Sequence, residues 1–209
     1  MKNIWKTLVI TSLIILLPVV AGVILWDQLP EQIPTHWNAV GQIDDYSGKA
    51  FVVFGLPGIL LGIQWLCALA TLADPKKQNH SDKVLHLVLW FVPALTCLMS
   101  ALTYAAALGK EVKMEMVMPV FVGLVLAIIG NYLPKCKQSY TIGIKLPWTL
   151  DSEENWNRTH RFAGRIWLIG GLVMMLTGFV GGFWIFFGVA LVMVLAPVIY
   201  SFILHRKGI

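Results

Sequence analysis

The chain has 209 residues, 57% of them hydrophobic and 13% charged, with a formal net charge of +5 and a mean hydropathy of +0.74. These values exclude a water-soluble globular domain and make lipid the main solvent. The positive charge reads as a topology signal rather than as a nucleic-acid-binding face.

The first charge-free run, Thr7–Trp26, follows Lys2 and Lys6. It resembles a secretory signal, and Val19-Val20-Ala21 could pass as a cleavage site, but the run outlasts a signal core and reads as a retained anchor. The loop after it, Asp27–Lys49, holds Pro30, Pro34, Gly41 and Gly48, which argue against a continuous helix. Asp27, Glu31, Asp44 and Asp45 against Lys49 make it an acidic, turn-rich cap. His36, Trp37 and Asn38, with Gly41 and Asp44 beside them, are its candidate recognition cluster: an aromatic plate flanked by hydrogen-bonding groups. The alternative is that Trp37 beds the loop on the bilayer while Asn38 and Asp44 close turns. A metal held by His36 with Asp44 or Asp45 is a weaker alternative, and no metal or cofactor is expected.

Ala50–Ala73, Val84–Gly109 and Met116–Pro134 are each long enough for one crossing, which takes about 20 residues. Gln64 is the most polar side chain well inside a span and reads as an interhelical hydrogen bond. No Asp, Glu, Lys or Arg lies deep in a span, which argues against a proton-driven carrier. Gly58 with Gly62, and Gly178 with Gly182, have the spacing of close helix contacts. Pro57, Pro93, Pro119 and Pro197 are candidate kinks. Trp5, Trp26, Trp167 and Trp184 read as interfacial anchors.

The loop Pro134–Arg165 is long for a connector. Tyr140–Pro147 reads as extended, and Asp151-Ser152-Glu153-Glu154 as a helix start, a capping residue with Glu three positions later. In the helix that follows, Trp156, Thr159, His160 and Ala163 share one face, while Arg158 and Arg161 point elsewhere. A catalytic reading competes: Glu153-Glu154-x-x-x-Arg158 fits a motif of the CAAX/Abi intramembrane proteases. Their Phe-x-x-x-His companion is missing, and metal chemistry needs further ligands, so an enzyme is not expected.

The final run, Ile166–Leu204, would reach about 58 Å as one helix, too long for a single crossing. Gly181-Gly182 divides it into Ile166–Val180 and Phe183–Leu204. The expected fold is therefore all-α, a polytopic integral membrane protein of six spans. Residues 1–73 hold the first two spans with the loop 27–49, 74–133 the next two, and 134–209 the long loop and the last two.

Thirteen of the sixteen Lys and Arg residues fall on one side. They are Lys2, Lys6, Lys76, Lys77, Lys83, Lys135, Lys137, Lys145, Arg158, Arg161, Arg165, Arg206 and Lys207. The positive-inside rule makes that side, with both termini, cytoplasmic, and places a multi-pass protein in the cell membrane. Cys67 and Cys97 fall within spans and Cys136 on the reducing side, so no disulfide framework is expected, and no Cys/His spacing fits zinc.

Two segments resemble the bacterial SdpI family. "LPEQIPTHWNAVGQIDDYSGK" looks like that family's extracellular segment. "NYLPKCKQSYTIGIKLPWTLDSEENWNRTHRFAG" looks like its signature, matched at Gly143, Pro147, Trp148, Thr149, Trp156, Thr159, His160, Arg161 and Gly164. Ser139 stands where the family frequently has Asn, and Lys145 where it has Arg; a lysine lacks the two-pronged guanidinium contact. The resemblance implies immunity against a secreted membrane-active toxin peptide, received at His36, Trp37, Asn38, Gly41 and Asp44. It also implies a cytoplasmic repressor held by Gly143, Lys145, Pro147, Trp148, Thr149, Trp156, Thr159, His160 and Arg161. A regulatory membrane protein that recruits a cytoplasmic partner or lipid headgroups, with no toxin, is the alternative.

Overall fold

A computed structural model describes residues 4–209; Lys2 lies outside the described residues. Among the described residues, six helices are long and apolar enough to cross a membrane, and the chain is a multi-pass membrane protein. They are α1 (Ile4–Ile24), a second span of a π turn Phe51–Gly55 continued by α2 (Leu56–Leu72), α3 (Asp82–Ala107), α4 (Met114–Tyr132), α6 (Glu153–Val180) and α7 (Phe183–Arg206). A short helix, α5 (Pro147–Asp151), precedes α6. The π turn has a local cause: Pro57 has no amide for the helical ladder, and Leu56 N reaches back five residues to Phe51 O.

The described residues form two units. One comprises residues up to Leu72 together with Asp82–Lys113. Here α1 packs on α2 and α3, and a hydrophobic cluster of Leu29, Ile33, Val52, Val53 and Tyr104 closes one end. Gln64 makes the interhelical bond expected of it, Nε2 donating to Thr11 Oγ1 at 2.5 Å. Pro18 leaves Ile14 O without its helical amide, and Cys97 Sγ donates to it at 3.6 Å.

In the other unit, Ala73–Ser81 and Met114–Ile209, α6 packs along α4 and α7. The α4–α6 seam is glycine against backbone. A Cβ on Gly171 would stand 2.5 Å from both Ala127 N and Gly123 O, and one on Gly178 would stand 2.6 Å from Met116 O. Close approach replaces the missing hydrophobic drive between helices in lipid. Gly178 therefore has the role its spacing suggested, but Gly182 does not, since it lies past the end of α6 and a Cβ there would come no nearer than 3.4 Å to any atom, the nearest being on Ile185. Gly58 and Gly62 do not, since both face open space. Gly171→Ala is expected to lower thermal stability in detergent micelles by about 1–3 kcal/mol through overpacking. Gly188→Ala, with open space around it, is the control.

Trp167 is more than an interfacial anchor. Pro197 frees Met193 O from the α7 ladder, and Trp167 Nε1 donates to it at 2.8 Å. Between α6 and α7, Gly181 has φ +66, a conformation suited to glycine, and the chain turns there as the length of the apolar run requires.

Candidate functional site

The loop between α1 and α2 is a β-hairpin, which the sequence reading saw only as a turn-rich cap. Strands β1 (Gln32–Trp37) and β2 (Ile43–Gly48) pair antiparallel, with register irregularities after Pro34 and His36. Asn38 closes the turn: its Oδ1 accepts from Val40 N at 3.1 Å and Gln42 N at 3.0 Å, and Gly41 supplies φ +78. His36 Nδ1 meets Asp44 Oδ1 across the strands at 2.6 Å, and Trp37 is half-buried. Lys49 fastens the hairpin to the end of α1. Buried, its Nζ donates to Trp26 O at 3.2 Å and Leu29 O at 3.1 Å, and it pairs with Glu31 at 2.8 Å. These carbonyls lie just past the helix end, where acceptors lack amides and a cation is favoured.

The loop between α4 and α6 is organised by Asp74, which follows α2 in sequence and is buried. Its Oδ2 accepts from Tyr140 N at 3.0 Å, Thr141 N at 2.9 Å and Thr141 Oγ1 at 2.7 Å. Its Oδ1 accepts from Lys76 N at 2.8 Å, and His80 Nε2 lies 3.3 Å from Oδ2. Burial alone would raise the Asp74 carboxyl. The bonds from Thr141 and the amides of Lys76 and Tyr140, with His80, outweigh it and hold the carboxyl below its ordinary range.

Gln138 ties the same segment to α5, its Nε2 donating to Thr149 O at 2.9 Å and Leu150 O at 2.8 Å. Asn79 Nδ2 donates to Gln138 O at 2.7 Å, and Lys76 Nζ to Gln138 Oε1. Thr149 Oγ1 receives Leu146 N at 2.9 Å and lies 2.9 Å from Ile144 O.

On α6, the rings of Trp156 and His160 stack at 4.0 Å. Trp156 Nε1 donates to Cys136 O at 2.8 Å. His160 Nε2 accepts from Ile144 N at 2.9 Å while Nδ1 lies 2.8 Å from Trp156 O, which makes the ring neutral with its proton on Nδ1. Gly143 crosses these rings with φ +123. One turn away, Asn155 gathers Ser201, Thr159 and the chain end. Its Oδ1 accepts from Ser201 Oγ at 2.7 Å and Thr159 Oγ1 at 3.0 Å, and its Nδ2 donates to Ser201 O and Ile209 O, each at 3.1 Å. Trp148 Nε1 donates to Ser201 Oγ at 2.8 Å.

With that geometry in view, residues 135–201 match the SdpI/YfhL protein family, and 13–61 match a family described as a domain of unknown function, DUF1648. "Immunity protein SdpI" of Bacillus subtilis (strain 168) is 27% identical over 194 residues, 93% of this chain and 92% of that protein. The chain is thus similar to the SdpI/YfhL family through residues 135–201, and to that immunity protein along most of its length. No solved structure matches.

Within the SdpI/YfhL stretch, Gly143, Thr149, Trp156, Thr159 and His160 converge, but inward. Their polar atoms are spent on the loop and on α6 itself, so these side chains shape the surface from beneath rather than present it. Trp148 is half-buried on Ser201, while Lys145, Pro147 and Arg161 are exposed. The helix cap is Ser152, whose Oγ accepts from Asn155 N at 3.2 Å; Asp151 ends α5, so no Glu stands three positions after the cap. Glu154 is exposed and pairs with Arg158 at 2.6 Å. No group of three His, Cys, Asp or Glu able to share a metal occurs among the described residues. Burial pushes the Cys136 thiol up to about 11, which keeps it out of thiolate chemistry.

Sequence reasoning missed Asp74, Gln138, Asn155 and Ser201 as members of this network. Asp74 had a signal, a carboxylate next to Pro75 at the end of a span, followed by Lys76 and Lys77, which were already assigned to topology. The others are single polar residues whose partners lie far along the chain.

Proposed function

We propose that this chain is a cell-membrane immunity protein that protects its cell from a secreted, membrane-active peptide. The reading is carried by likeness along 93% of the chain to the Bacillus subtilis immunity protein, together with six membrane-spanning helices. The function is binding rather than catalysis. Both termini and the Asp74-organised loop lie in the cytoplasm, following the distribution of lysine and arginine; the hairpin then faces outward, where a secreted peptide arrives. His36, Trp37 and Asp44 are the parts of the earlier recognition cluster that remain at its surface, while Asn38 and Gly41 hold its turn.

The test is expression in Bacillus subtilis cells lacking their own SdpI, challenged with the killing peptide of the producing strain. Survival is expected to rise at least tenfold over the empty vector. Cells that carry correctly inserted protein and die like the vector control overturn the reading.

A cytoplasmic repressor held at the membrane is the finer reading. It is favoured by a surface of exposed Lys135, Lys137, Lys145, Arg161 and Arg165 on a loop stiffened from within. These basic groups also suit anionic lipid headgroups. A partner that needs this face loses membrane retention when Lys145 and Arg161 are changed to Glu.

A further inference from the structure

The two edges of the hairpin differ in character. β1 is packed down, with Ile33 fully buried in the Leu29, Val52, Val53 and Tyr104 cluster, and it contains Pro34, which has no amide. Five of the six residues of β2 are exposed, Ser47 being half-buried. Lys49 N donates to Glu31 O at 2.9 Å, which sets the phase of the ladder. By the alternation of antiparallel pairing, Ser47 faces β1, and Tyr46 and Gly48 turn their N–H and C=O groups outward. The Tyr46 amide meets no strand there; it donates to the carboxylate of Asp45 at 2.8 Å. Outward-facing backbone groups on an exposed strand are a template for a further strand.

Charge selects the occupant. Lys49 is the one cation among Lys and Arg on this loop, and it is buried against Trp26 O, Leu29 O and Glu31. Among the described residues, no lysine or arginine pairs with Asp27, Asp44 or Asp45, and Asp44 pairs with His36. A second copy pairing β2 to β2 would set acidic strands side by side, which is unfavourable. A strand carrying Lys or Arg gains both the backbone bonds and the ion pairs.

We propose that the outer edge of β2 binds an extended cationic peptide as a third strand. A carbonyl of the peptide takes the Tyr46 amide from Asp45, and its cations meet Asp44 and Asp45. The assignment rests on the immunity reading and names how the killing peptide is held.

The test uses the full-length protein in phosphatidylcholine nanodiscs, a lipid without net charge, titrated with a fluorescent ten-residue peptide of alternating lysine and valine and read by anisotropy. The matching glutamate and valine peptide is the comparison. The cationic peptide is expected to bind at least tenfold more tightly than the acidic one. Tyr46→Pro, which lacks the amide, and the paired change Asp44→Lys with Asp45→Lys, which keeps the backbone, are each expected to weaken it tenfold, while Gly58→Ala, in α2 with open space around it, leaves it unchanged. Equal binding by the parent and both weakened variants overturns the proposal, as does crosslinking of hairpin to hairpin between copies in place of peptide binding. Protection without edge binding removes the edge assignment and leaves the immunity reading; edge binding without protection does the reverse.

Discussion

Asp74→Ala is expected to release the segment from Tyr140 to Ile144 while leaving the six helices inserted. Four donors converge on this one carboxylate: the amides of Lys76, Tyr140 and Thr141, and the Thr141 hydroxyl. A buried donor left without an acceptor costs about 1–3 kcal/mol. Two or three such losses amount to about 3–5 kcal/mol, because water at the membrane edge recovers the remainder. The helices do not depend on these bonds, since each closes its own backbone ladder. Amide exchange at Tyr140 and Thr141 reads the effect directly, and loop-directed proteolysis reads its consequence. Asp74→Asn keeps one acceptor oxygen and is expected to retain part of the protection.

The same carboxylate gives the loop an acid limit. Its folded pKa lies below the ordinary carboxylate value of about 4. Its contribution is therefore complete above the unfolded value and is lost as pH falls through the lower, folded one. Protection at Tyr140 and Thr141, taken relative to the intrinsic exchange rate at each pH, is expected to stay flat across neutral pH and to fall only below about pH 4. A fall near neutral pH would assign the control to another group.

The six spans were legible because a helix in lipid must satisfy its own backbone and cover itself with apolar side chains, a requirement written into every residue of the run. The start of α6 at Glu153, well ahead of Ile166, was legible from the acidic turn and from the shared face of Trp156, Thr159 and His160. What covers that face was not. Periodicity marks a buried stripe but carries no trace of its cover, and the cover here is the irregular stretch from Cys136 to Ile144. The hairpin was missed for a related reason. β2 reads Ile-Asp-Asp-Tyr-Ser-Gly, and a strand exposed on both faces has no apolar alternation to display. Its turn was visible in Asn38 and Gly41; its strands were not.

Gly143→Ala is expected to have an effect comparable to loss of Asp74, by an opposite route: too much matter rather than a missing acceptor. At φ +123 an L side chain is strained, and a Cβ there would stand 2.6 Å from both His160 Nε2 and the Trp156 ring. Those rings cannot step aside cheaply. His160 Nε2 is bound to the amide of Ile144, the residue after Gly143, and Trp156 Nε1 is bound to Cys136 O. Backbone strain of about 1–3 kcal/mol and overpacking of similar size give about 2–6 kcal/mol. Near-ultraviolet circular dichroism of the tryptophans and thermal unfolding in detergent measure it. Gly58→Ala supplies the opposite sign. It sits in α2 with open space around it and is expected to be neutral or to stabilise by up to about 1 kcal/mol, from helix propensity alone. Carried into the immunity assay, the pair separates two roles for the loop. If protection needs only the hairpin and its spans, Gly143→Ala still protects once inserted. If the Asp74-organised loop is part of the response, protection falls with loop order, and Gly58→Ala protects like the parent.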